Sequence, residues 1–354
     1  MRISITGGTG FIGSWLARGL AGKGHDLRFL ARPGREGSVP AALPGRSGPG
    51  SPSAPPIRPE IHVGDLKDPA SLQGFLRGQD LLIHVASAHD HFTEAEMRAV
   101  NIGGTEALIE EGRKHANPGF AIWVVSSAVI GAPVYSYYRD SKRVQEKLIR
   151  GSGIPWASFR PTLVYGRGDH RHTARLLRRC GARRGTIWVP HDGLSKINPV
   201  HVEDVVDAVL RFFDFDRAVD CCYELAGPAG IPYNEFLDLT IAAAGGRVKR
   251  RNIPKKWADR FIFLKGLFVD NTEDRRASAY FNLHHEHDIS NATGELGWKP
   301  RSYAEGIAQV AADPWWREEP GTSDATASTP SGSARAPARA GAAPGVPRAP
   351  GRET

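Results

Sequence analysis

The sequence has few of the features that mark secreted, membrane-spanning or metal-binding proteins. Its 354 residues include only three cysteines, Cys180, Cys221 and Cys222, too few for a disulfide framework. Neither a Cys-x-x-Cys nor a His-Glu-x-x-His pattern suggests zinc. No run approaches the roughly 18 apolar residues that a membrane span needs. We therefore expect a cytoplasmic chain without a signal peptide, a transmembrane helix or a metal.

The overall composition is that of a globular protein, with 40% hydrophobic and 24% charged residues. A net charge of +8 attracts phosphorylated ligands or anionic surfaces. Glycine and proline are concentrated at residues 33–60 and near the C-terminal end. Such segments have little apolar surface to offset the entropy of ordering. We expect a disordered insertion at 33–60 and a disordered tail at 313–354.

The rest of the chain alternates short β-rich runs with helical patterns. Near-continuous apolar strands in such an alternation indicate a parallel sheet covered by helices on both faces, a doubly wound α/β (Rossmann) fold. We expect a nucleotide-binding domain at 1–166. A smaller, mainly substrate-binding region follows at 167–312, from which a segment near 195–228 returns to the Rossmann domain.

A glycine-rich turn lies between the first predicted strand and the first predicted helix. Gly7, Gly10 and Gly13 are spaced three apart in Thr-Gly-Gly-Thr-Gly-Phe-Ile-Gly. The first glycine permits a tight turn, the second lets the backbone approach a pyrophosphate, and the third lets the helix pack closely on the strand. The free N–H groups of the helix N-terminus then face the phosphates. A merely flexible turn is the alternative, but the strand–turn–helix context favours dinucleotide binding.

This turn and nine later motifs resemble the short-chain dehydrogenase/reductase superfamily, in its extended branch of epimerases, dehydratases and reductases. The resemblance covers about residues 1–312 and keeps the family's order of motifs. After Thr6–Gly13, the motifs are Gly64–Leu66, His84–Ala86, Val100–Thr105, Ser126-Ser127, Tyr138-x-x-x-Lys142, Arg160-Pro161, Val164–Gly166, His201–Asp204 and Leu296–Pro300.

The end of the second strand predicts which nicotinamide cofactor binds. NAD sites usually have a carboxylate there, whereas this strand ends at Ala31 and is followed by Arg32. Arg32 can pair with a 2′-phosphate, so NADP(H) is favoured and NAD stays possible; a solvated surface arginine is the alternative. Asp65 resembles the family residue beside the adenine, or else caps a helix. The predicted cofactor-binding residues are Gly7, Thr9, Gly10, Phe11, Ile12, Gly13, Arg32, Asp65, Leu66, Ala86 and Lys142.

Tyr138 and Lys142 are the predicted proton-transfer pair. They stand one helical turn apart, so their side chains project from the same face. A phenol is a poor base at neutral pH, and a nearby ammonium favours its phenolate. Tyr135 and Tyr137 lie close by in sequence, but neither has a lysine four residues later. The resemblance implies that Lys142 also holds the nicotinamide ribose; an ordinary tyrosine at a helix start is the alternative.

A hydroxyl donor to the substrate oxygen is expected at the end of the preceding strand. Ser126 fits the family pattern slightly better than Ser127, and both stay open. The segment from these serines to Tyr138 is short, as in an atypical, complex-I-subunit-like branch in which several members bind NADPH without established turnover. Asn101 resembles the family asparagine at a helix kink, with simple N-terminal capping as the alternative.

A basic run follows the sixth predicted strand. It comprises Arg167, Arg171, Arg175, Arg178, Arg179, Arg183 and Arg184, against Asp169 alone. The run is either a solvated helix face or a site for a phosphate, a pyrophosphate or an anionic headgroup. Residues 257–269, apolar and aromatic with flanking cations, are either a packed helix, a cap over an apolar substrate or a segment on a membrane surface.

Three functions follow from these patterns. The leading hypothesis is an NADP(H)-dependent oxidoreductase that transfers hydride to or from a carbonyl or secondary alcohol of a small, apolar or phosphorylated substrate. A nucleotide-sugar epimerase or dehydratase is the second, with the arginines binding the diphosphate. A non-catalytic NADPH-binding subunit or sensor is the third. We expect a homodimer with a small-molecule substrate and no nucleic-acid partner, since no nucleic-acid-reading module is evident.

Overall fold

The central feature of the computed structural model is a parallel sheet, and the structure describes residues 1–45, 55–89, 92–214, 220–265 and 286–318. The strands in these ranges are β1 (Arg2–Thr6), β2 (Asp26–Ala31), β3 (Glu60–Val63), β4 (Leu81–His84), β5 (Ala121–Val125), β6 (Trp156–Pro161), β7 (Val164–Tyr165), β8 (Thr186–Pro190), β9 (Lys196–Ile197), β10 (Val200–His201), β11 (Cys221–Leu225), β12 (Ile231–Pro232) and β13 (Lys249–Ile253).

The helices cover the sheet and build the C-terminal region. They are α1 (Phe11–Gly22), α2 (Glu94–Met97), α3 (Gly104–His115), α4 (Tyr137–Arg150), α5 (Thr173–Cys180), α6 (Val202–Phe213), α7 (Tyr233–Ala243), α8 (Lys255–Lys265), α9 (Ser290–Leu296) and α10 (Tyr303–Ala312). A π-helix over Arg98–Gly103 joins α2 to α3.

The sheet has seven parallel strands in the order β11–β6–β5–β4–β1–β2–β3. Its side chains alternate between two buried clusters. Ile3 and Ile5 face the cluster that holds the apolar sides of α1 and α6, whereas Ile122 and Val124 face the cluster of α3 and α4. The predicted doubly wound α/β fold is confirmed.

The remaining strands form three two-stranded pairs, β7 with β10, β9 with β12 and β8 with β13. Around β8, helices α5, α7 and α10 enclose a third buried cluster. The returning segment supplies α6, which packs on α1, and β11, which pairs with β6. Residues Met1–Arg317 form one compact unit.

The structure corrects the prediction that residues 33–60 are disordered, over the part it describes. Val39 and Leu43 are 6% and 3% exposed and belong to the cluster beside α1. Leu43 also exchanges backbone hydrogen bonds with Ile57, and β3 already begins at Glu60. A few apolar side chains are thus enough to hold this segment on the core; residues 46–54 lie outside the described residues.

The boundary of the predicted tail at 313–354 is corrected as well. Residues Pro314–Arg317 form a 3₁₀ turn in which Trp315 and Trp316 are 7% and 4% exposed. The indole N–H of Trp316 donates to the Ala311 carbonyl at 3.1 Å. Two indoles bury enough area to dock this turn on the C-terminal cluster. Residues 319–354 lie outside the described residues.

The helical sequence pattern of one segment does not produce an α-helix. Residues 71–78 (Ser-Leu-Gln-Gly-Phe-Leu-Arg-Gly) have helical spacing, but the structure has a 3₁₀ helix at Pro69–Leu72 followed by turns. Gly74 and Gly78 take the left-handed backbone conformation, with φ of 83° and 67°, which no α-helix contains.

Candidate active site

The glycine turn joins β1 to α1 as its spacing predicts. Gly7 has φ of 69°, and a Cβ there would lie 2.7 Å from the Ala86 nitrogen. A Cβ on Gly13 would lie 2.1 Å from the Gly7 carbonyl oxygen, so α1 packs directly against the turn. Gly10 is the N-cap of α1 and has no side chain with which to cap it. The N-terminal N–H groups of the helix are therefore left for another acceptor.

The predicted site residues follow the carboxyl ends of neighbouring strands. Gly7 follows β1, Arg32 follows β2, Asp65 follows β3, Ala86 follows β4 and Ser126 follows β5. Carboxyl ends of parallel strands meet at one edge of a sheet, where ligands bind in open α/β folds. The structure thus gathers residues from five separate segments at the edge where α1 begins.

Arg32 and Asp65 lie at the part of this edge nearest β3. The Arg32 side chain is exposed and makes no hydrogen bond or ion pair with any residue that the structure describes. Asp65 Oδ1 accepts a hydrogen bond from the Lys67 N–H at 2.9 Å. Asp68, not Asp65, is the N-cap of the next 3₁₀ helix, so the capping alternative for Asp65 is not observed. Leu66 is buried, and a Cβ on Gly104 would touch it.

Helix α4 carries both members of the predicted proton-transfer pair. Ser136 caps the helix, accepting from the Arg139 N–H at 3.1 Å, so Tyr138 lies in the first turn. Tyr138 is half-buried, with its ring centroid 4.9 Å from that of His89. Lys142, one turn later, is 1% exposed. The pair therefore combines a half-buried tyrosine with a fully enclosed lysine.

A buried polar network holds Lys142. Its Nζ donates to the Val125 carbonyl at 3.2 Å and to Gln145 Oε1 at 2.5 Å. Gln145 Nε2 in turn lies 3.0 Å from His84 Nε2 and 3.0 Å from Thr105 Oγ1. Burial disfavours the charged ammonium and lowers the pKa of Lys142 to about 8. The lysine thus holds its proton less firmly than an exposed lysine does.

His84 closes the other side of this network. Its Nδ1 lies 2.6 Å from Thr6 Oγ1, and Thr6 Oγ1 also accepts from the Ala86 N–H at 3.2 Å. Burial, with a contribution from the Lys142 charge, lowers the pKa of His84 to about 3. The histidine is therefore neutral, and it links the lysine to the end of β1, where the glycine turn starts.

Asn101 lies in the π-helix, and its side-chain amide connects the loop after β4 with α4. Its Oδ1 accepts from the Ala88 N–H at 2.8 Å, and its Nδ2 donates to the Ala88 carbonyl at 2.9 Å and to Ser141 Oγ at 3.0 Å. Because it sits between two helical segments, the simple capping alternative is not observed. The π-helix provides the helix kink that the resemblance implies, and Ser141 ties it to α4 beside Lys142.

The two candidate hydroxyl donors differ in their surroundings. Ser126 is 5% exposed, and its Oγ has no hydrogen-bond partner among the residues that the structure describes. Ser127 is half-buried, and its Oγ accepts from the Val129 N–H at 3.3 Å. Both follow β5, with Ser127 at the start of a 3₁₀ turn. Ser126 is a buried hydroxyl that lacks a partner, while Ser127 is more accessible.

A buried ion pair fixes the back of α4. Glu146 accepts from Arg160 at 2.9 and 2.6 Å and from Ser158 Oγ at 2.7 Å. Burial opposes ionisation of this carboxyl, but the hydrogen bonds from Arg160 and Ser158, together with the nearby Ser126 hydroxyl, outweigh it and lower the pKa of Glu146. Since Arg160 and Ser158 belong to β6, the pair locks the helix that carries Tyr138 and Lys142 onto the sheet.

Most arginine side chains of the basic run are exposed to solvent, and two of them contact residues near the C-terminal end of the described chain. Helix α5 buries Ala174, Leu177 and Cys180 and turns its arginines outward, as a solvated amphipathic helix does. Arg167 forms an ion pair with Asp313 at 2.5 Å, and Arg178 donates to the Trp316 carbonyl. The exposed members are Arg167, Arg171, Arg175, Arg179, Arg183 and Arg184.

Among the described residues, no group of three or more histidine, cysteine, aspartate or glutamate side chains is arranged to hold a metal ion. Within the same ranges, no helix combines the length and apolarity required to cross a membrane.

The sequence analysis did not identify several residues that shape this site. Gln145, Thr105 and Thr6 complete the network around Lys142, and Ser141 connects it to Asn101. Gln145 lies three residues after Lys142 on the same helix, which was an available signal. Thr6 and Thr105 lie within motifs that were quoted for other residues, and only their contacts show what they do.

A comparison with models of known families identifies the family of this chain. The model of the NAD dependent epimerase/dehydratase family matches residues 3–223, more than half of the chain. The chain belongs to the NAD dependent epimerase/dehydratase family. The resemblance drawn from the sequence motifs is therefore confirmed, and the family binds NAD(P) and acts on small-molecule substrates.

Named relatives span several activities. The chain is 30% identical over 210 residues to ceramide reductase of Caulobacter vibrioides, covering 59% of this chain and 60% of that protein. It is 23% identical over 282 residues to 2-alkyl-3-oxoalkanoate reductase of Stenotrophomonas maltophilia, covering 69% and 76%. A solved UDP-glucose 4-epimerase of Thermotoga maritima, in complex with UDP-glucose, has a TM-score of 0.66 at 19% identity, covering 90% and 99%.

These relatives bear on enzyme class more than on cofactor choice. Reductases and epimerases dominate the names, which supports the prediction of an NAD(P)-dependent enzyme. Solved structures of similar fold include complexes with NAD⁺ and with NADPH. The family thus accommodates either nicotinamide, and the preference for NADP(H) stays a prediction.

The residues present fit a dinucleotide. Positions 7 and 13 have no room for a Cβ, so the backbone of the turn is bare where a pyrophosphate approaches. The α1 N-terminus has no capping side chain of its own, and it supplies N–H donors and a positive dipole end. Gly7, Thr9, Gly10, Phe11, Ile12 and Gly13 would hold the pyrophosphate, with Arg32, Asp65, Leu66, Ala86 and Lys142 along the rest of the cofactor.

Proposed function

We propose that the protein is an NADP(H)-dependent oxidoreductase that reduces a carbonyl or oxidises a secondary alcohol. The observation that carries the proposal is the pair on α4: Tyr138, half-buried in the first turn, and Lys142 one turn later, enclosed in a polar network. The bound nicotinamide supplies or accepts the hydride. The chain's own residues bind the cofactor, polarise the substrate oxygen and move a proton.

Tyr138 Oη is the group proposed to exchange that proton. In the reducing direction it donates to the substrate oxygen, and in the oxidising direction it removes the hydroxyl proton. Lys142 favours the phenolate by its positive charge. Gln145 and the Val125 carbonyl fix the ammonium in place, so the lysine needs no reorganisation during the reaction.

The second proposed group is a serine hydroxyl that donates to the substrate oxygen. The motif favours Ser126, whose buried Oγ forms no well-aligned hydrogen bond with a described residue, although the Glu146 carboxylate lies nearby. Ser127 is the alternative because it is more accessible. Separate Ser126→Ala and Ser127→Ala variants assign the role, since only loss of the donor lowers turnover while cofactor affinity stays at the parental value.

Arg32 supports the choice of NADP(H). It stands at the end of β2, exposed and with no described partner, where a carboxylate would repel a 2′-phosphate. A guanidinium forms charge-assisted hydrogen bonds with phosphate oxygens, so an uncommitted arginine at this point suits a phosphorylated ribose.

An apolar substrate is proposed for the pocket. Thr162 and Leu163 follow the Arg160-Pro161 motif, where nucleotide-sugar enzymes of the extended branch usually carry an asparagine. Leu163 is 47% exposed, which leaves an apolar side chain at the surface close to the motif. The names ceramide reductase and 2-alkyl-3-oxoalkanoate reductase among the relatives support a lipid-like substrate.

A nucleotide-sugar epimerase or dehydratase is the second candidate. The exposed arginines on and after α5 favour it, because they could bind a diphosphate. The fold similarity to UDP-glucose 4-epimerase is compatible with it. A non-catalytic NADPH-binding role is the third, supported by the short segment between Ser127 and Tyr138.

A substrate screen separates the three functions. Purified full-length protein is assayed with NADPH and long-chain ketones, with NADP⁺ and steroid-like alcohols, and with nucleotide sugars. Oxidation or reduction of the apolar compounds supports the proposal, and turnover of nucleotide sugars alone selects the second candidate. NADPH binding with no turnover of any compound selects the third. Light scattering of the same sample tests the expected homodimer.

A further inference from the structure

The two exposed tryptophans of this protein lie in the C-terminal region, Trp188 on β8 and Trp257 on α8. Five of the eight tryptophans are buried and Trp15 is half-buried, whereas Trp188 and Trp257 are 56% and 61% exposed. Exposing an indole leaves a large apolar surface in water, so a monomer gains nothing from this placement. An exposed pair in one region indicates a contact surface.

Trp188 stands on the outer face of a two-stranded parallel sheet. In β8 its neighbours Ile187 and Val189 are buried, so Trp188 points to the opposite side. The register pairs Trp188 with Arg251 and Thr186 with Lys249, which puts both cations on the same outer face. Both cations are exposed, and neither forms an ion pair with a described residue.

Trp257 is exposed at the start of the helix that follows β13. Helix α8 begins two residues after β13, and its first three residues are Lys255, Lys256 and Trp257, all exposed, while Ala258 is buried. The Asp259 carboxylate lies 3.9 Å from His191 Nε2, just beyond the end of β8. The start of α8 therefore stays beside the strand pair.

We define the tryptophan–basic patch as Trp188, Trp257, Lys249, Arg251, Lys255 and Lys256. Leu194, 59% exposed, lies four residues beyond the end of β8 and adds aliphatic surface. The exposed acids in the same segments are Asp192 and Asp259, and Arg260 adds an exposed cation beside the four of the patch, so cations predominate by five to two. None of the four cationic side chains forms an ion pair with a described residue.

We propose that the tryptophan–basic patch docks the protein on an anionic lipid membrane surface. Indoles occupy the boundary between lipid headgroups and acyl chains, and lysine and arginine are attracted to negatively charged headgroups. The exposed Leu194 favours a lipid over a nucleic acid, because acyl chains take up aliphatic side chains whereas bases stack on aromatic ones. The docking does not depend on which reaction the protein performs.

Vesicle sedimentation tests the docking with full-length protein. The vesicles contain phosphatidylcholine alone, or phosphatidylcholine with about one-third phosphatidylglycerol. We expect association with the anionic vesicles that weakens as salt is added, since salt screens the charge term. The triple variant Arg251→Glu, Lys255→Glu, Lys256→Glu should bind at least about a hundredfold more weakly.

A matched control separates the patch from net charge. Lys114, Lys147 and Lys299 are exposed lysines elsewhere on the described surface. Reversing all three to glutamate changes the net charge by the same amount, and this variant should bind anionic vesicles within about threefold of wild type. A Trp188→Ala, Trp257→Ala double variant should bind about tenfold more weakly while all cations are retained.

Specific outcomes would overturn the proposal. Wild type that fails to sediment with anionic vesicles at low salt contradicts it, as does a patch triple variant that binds like the control triple variant. Binding of single-stranded RNA that depends on the patch, without vesicle binding, identifies a nucleic-acid surface instead. Parental melting temperatures of the variants show that lost binding is not lost folding.

Discussion

The close packing of α1 on the glycine turn gives a sharp mutational prediction. In Gly13→Ala the new Cβ would lie 2.1 Å from the Gly7 oxygen, 2.8 Å from the Gly7 carbonyl carbon and 2.9 Å from the Gly8 Cα. Carbon atoms in contact prefer about 3.5–4.0 Å, so the helix has to move by about 1 Å. All three neighbours are backbone atoms, which cannot rotate away as a side chain would.

Gly13→Ala should lower both the stability of the protein and its affinity for NADPH. Overpacking of this kind destabilises by about 1–3 kcal/mol, which corresponds to a Tm lower by about 2–10 °C. Displacing α1 also moves its N-terminal N–H groups away from the pyrophosphate. Loss of one charge-assisted hydrogen bond, about 1.5–3 kcal/mol, raises the Kd for NADPH by at least about tenfold.

Gly22→Ala on the same helix is the matched control. An added Cβ at Gly22 meets nothing within 4 Å, so the Tm should be unchanged or slightly higher and NADPH affinity should match wild type. Calorimetric titration with NADPH and a thermal melt measure both quantities. Parental affinity and parental Tm in Gly13→Ala would refute the argument that this contact excludes a side chain.

Three further predictions concern other parts of the molecule. Arg32→Asp should raise the Kd for NADPH at least about tenfold and improve NADH binding; unchanged discrimination in titrations would show that Arg32 does not contact the 2′-phosphate. The folded-state pKa of His84 lies below its ordinary 6.5. Below about pH 6.5 the unfolded chain takes up a proton at this residue that the folded protein does not. The free energy of unfolding should therefore fall by roughly 1.4 kcal/mol per pH unit from about pH 6.5 toward pH 3. Urea unfolding of His84→Asn should show a smaller dependence on pH. Deleting residues 319–354 should leave the Tm nearly unchanged, whereas Trp315→Ala with Trp316→Ala should lower stability by about 3 kcal/mol or more; a large loss from the deletion would show that those residues dock.

The features that could be predicted from the sequence are those set by local pattern. Apolar strands alternating with helical runs predicted the sheet and its helices. The Gly7, Gly10 and Gly13 spacing located the turn, and Tyr138-x-x-x-Lys142 located one helix face. Each of these depends on residues only a few positions apart, so tertiary context did not have to be known.

The features that could not be predicted depend on contacts between distant segments. The network of Lys142 brings together Gln145, His84 and Thr105, and the sequence distance of His84 and Thr105 from the lysine carries no signal. The order of the 33–45 segment depends on two apolar side chains that find the core, which composition averaged over 33–60 conceals. Trp315 and Trp316 gave a local signal, since adjacent indoles are unusual in a tail, but their buried partners lie on other helices.

The proton-transfer role of Tyr138 can be separated from cofactor binding by comparing four proteins. Tyr138→Phe removes one oxygen and leaves a ring that packs. Lys142→Met removes the ammonium from the buried network. Tyr137→Phe is the matched control, because this neighbouring tyrosine has no lysine four residues later.

The most direct test of the account is the measurement of kcat and of NADPH Kd for these variants and wild type, on a substrate from the screen. The account predicts that Tyr138→Phe loses a factor of about 10²–10⁴ in kcat with parental NADPH Kd. Lys142→Met loses both turnover and affinity, and Tyr137→Phe loses neither. An activity that survives Tyr138→Phe at the full rate would contradict the central claim, whichever reaction the enzyme catalyses.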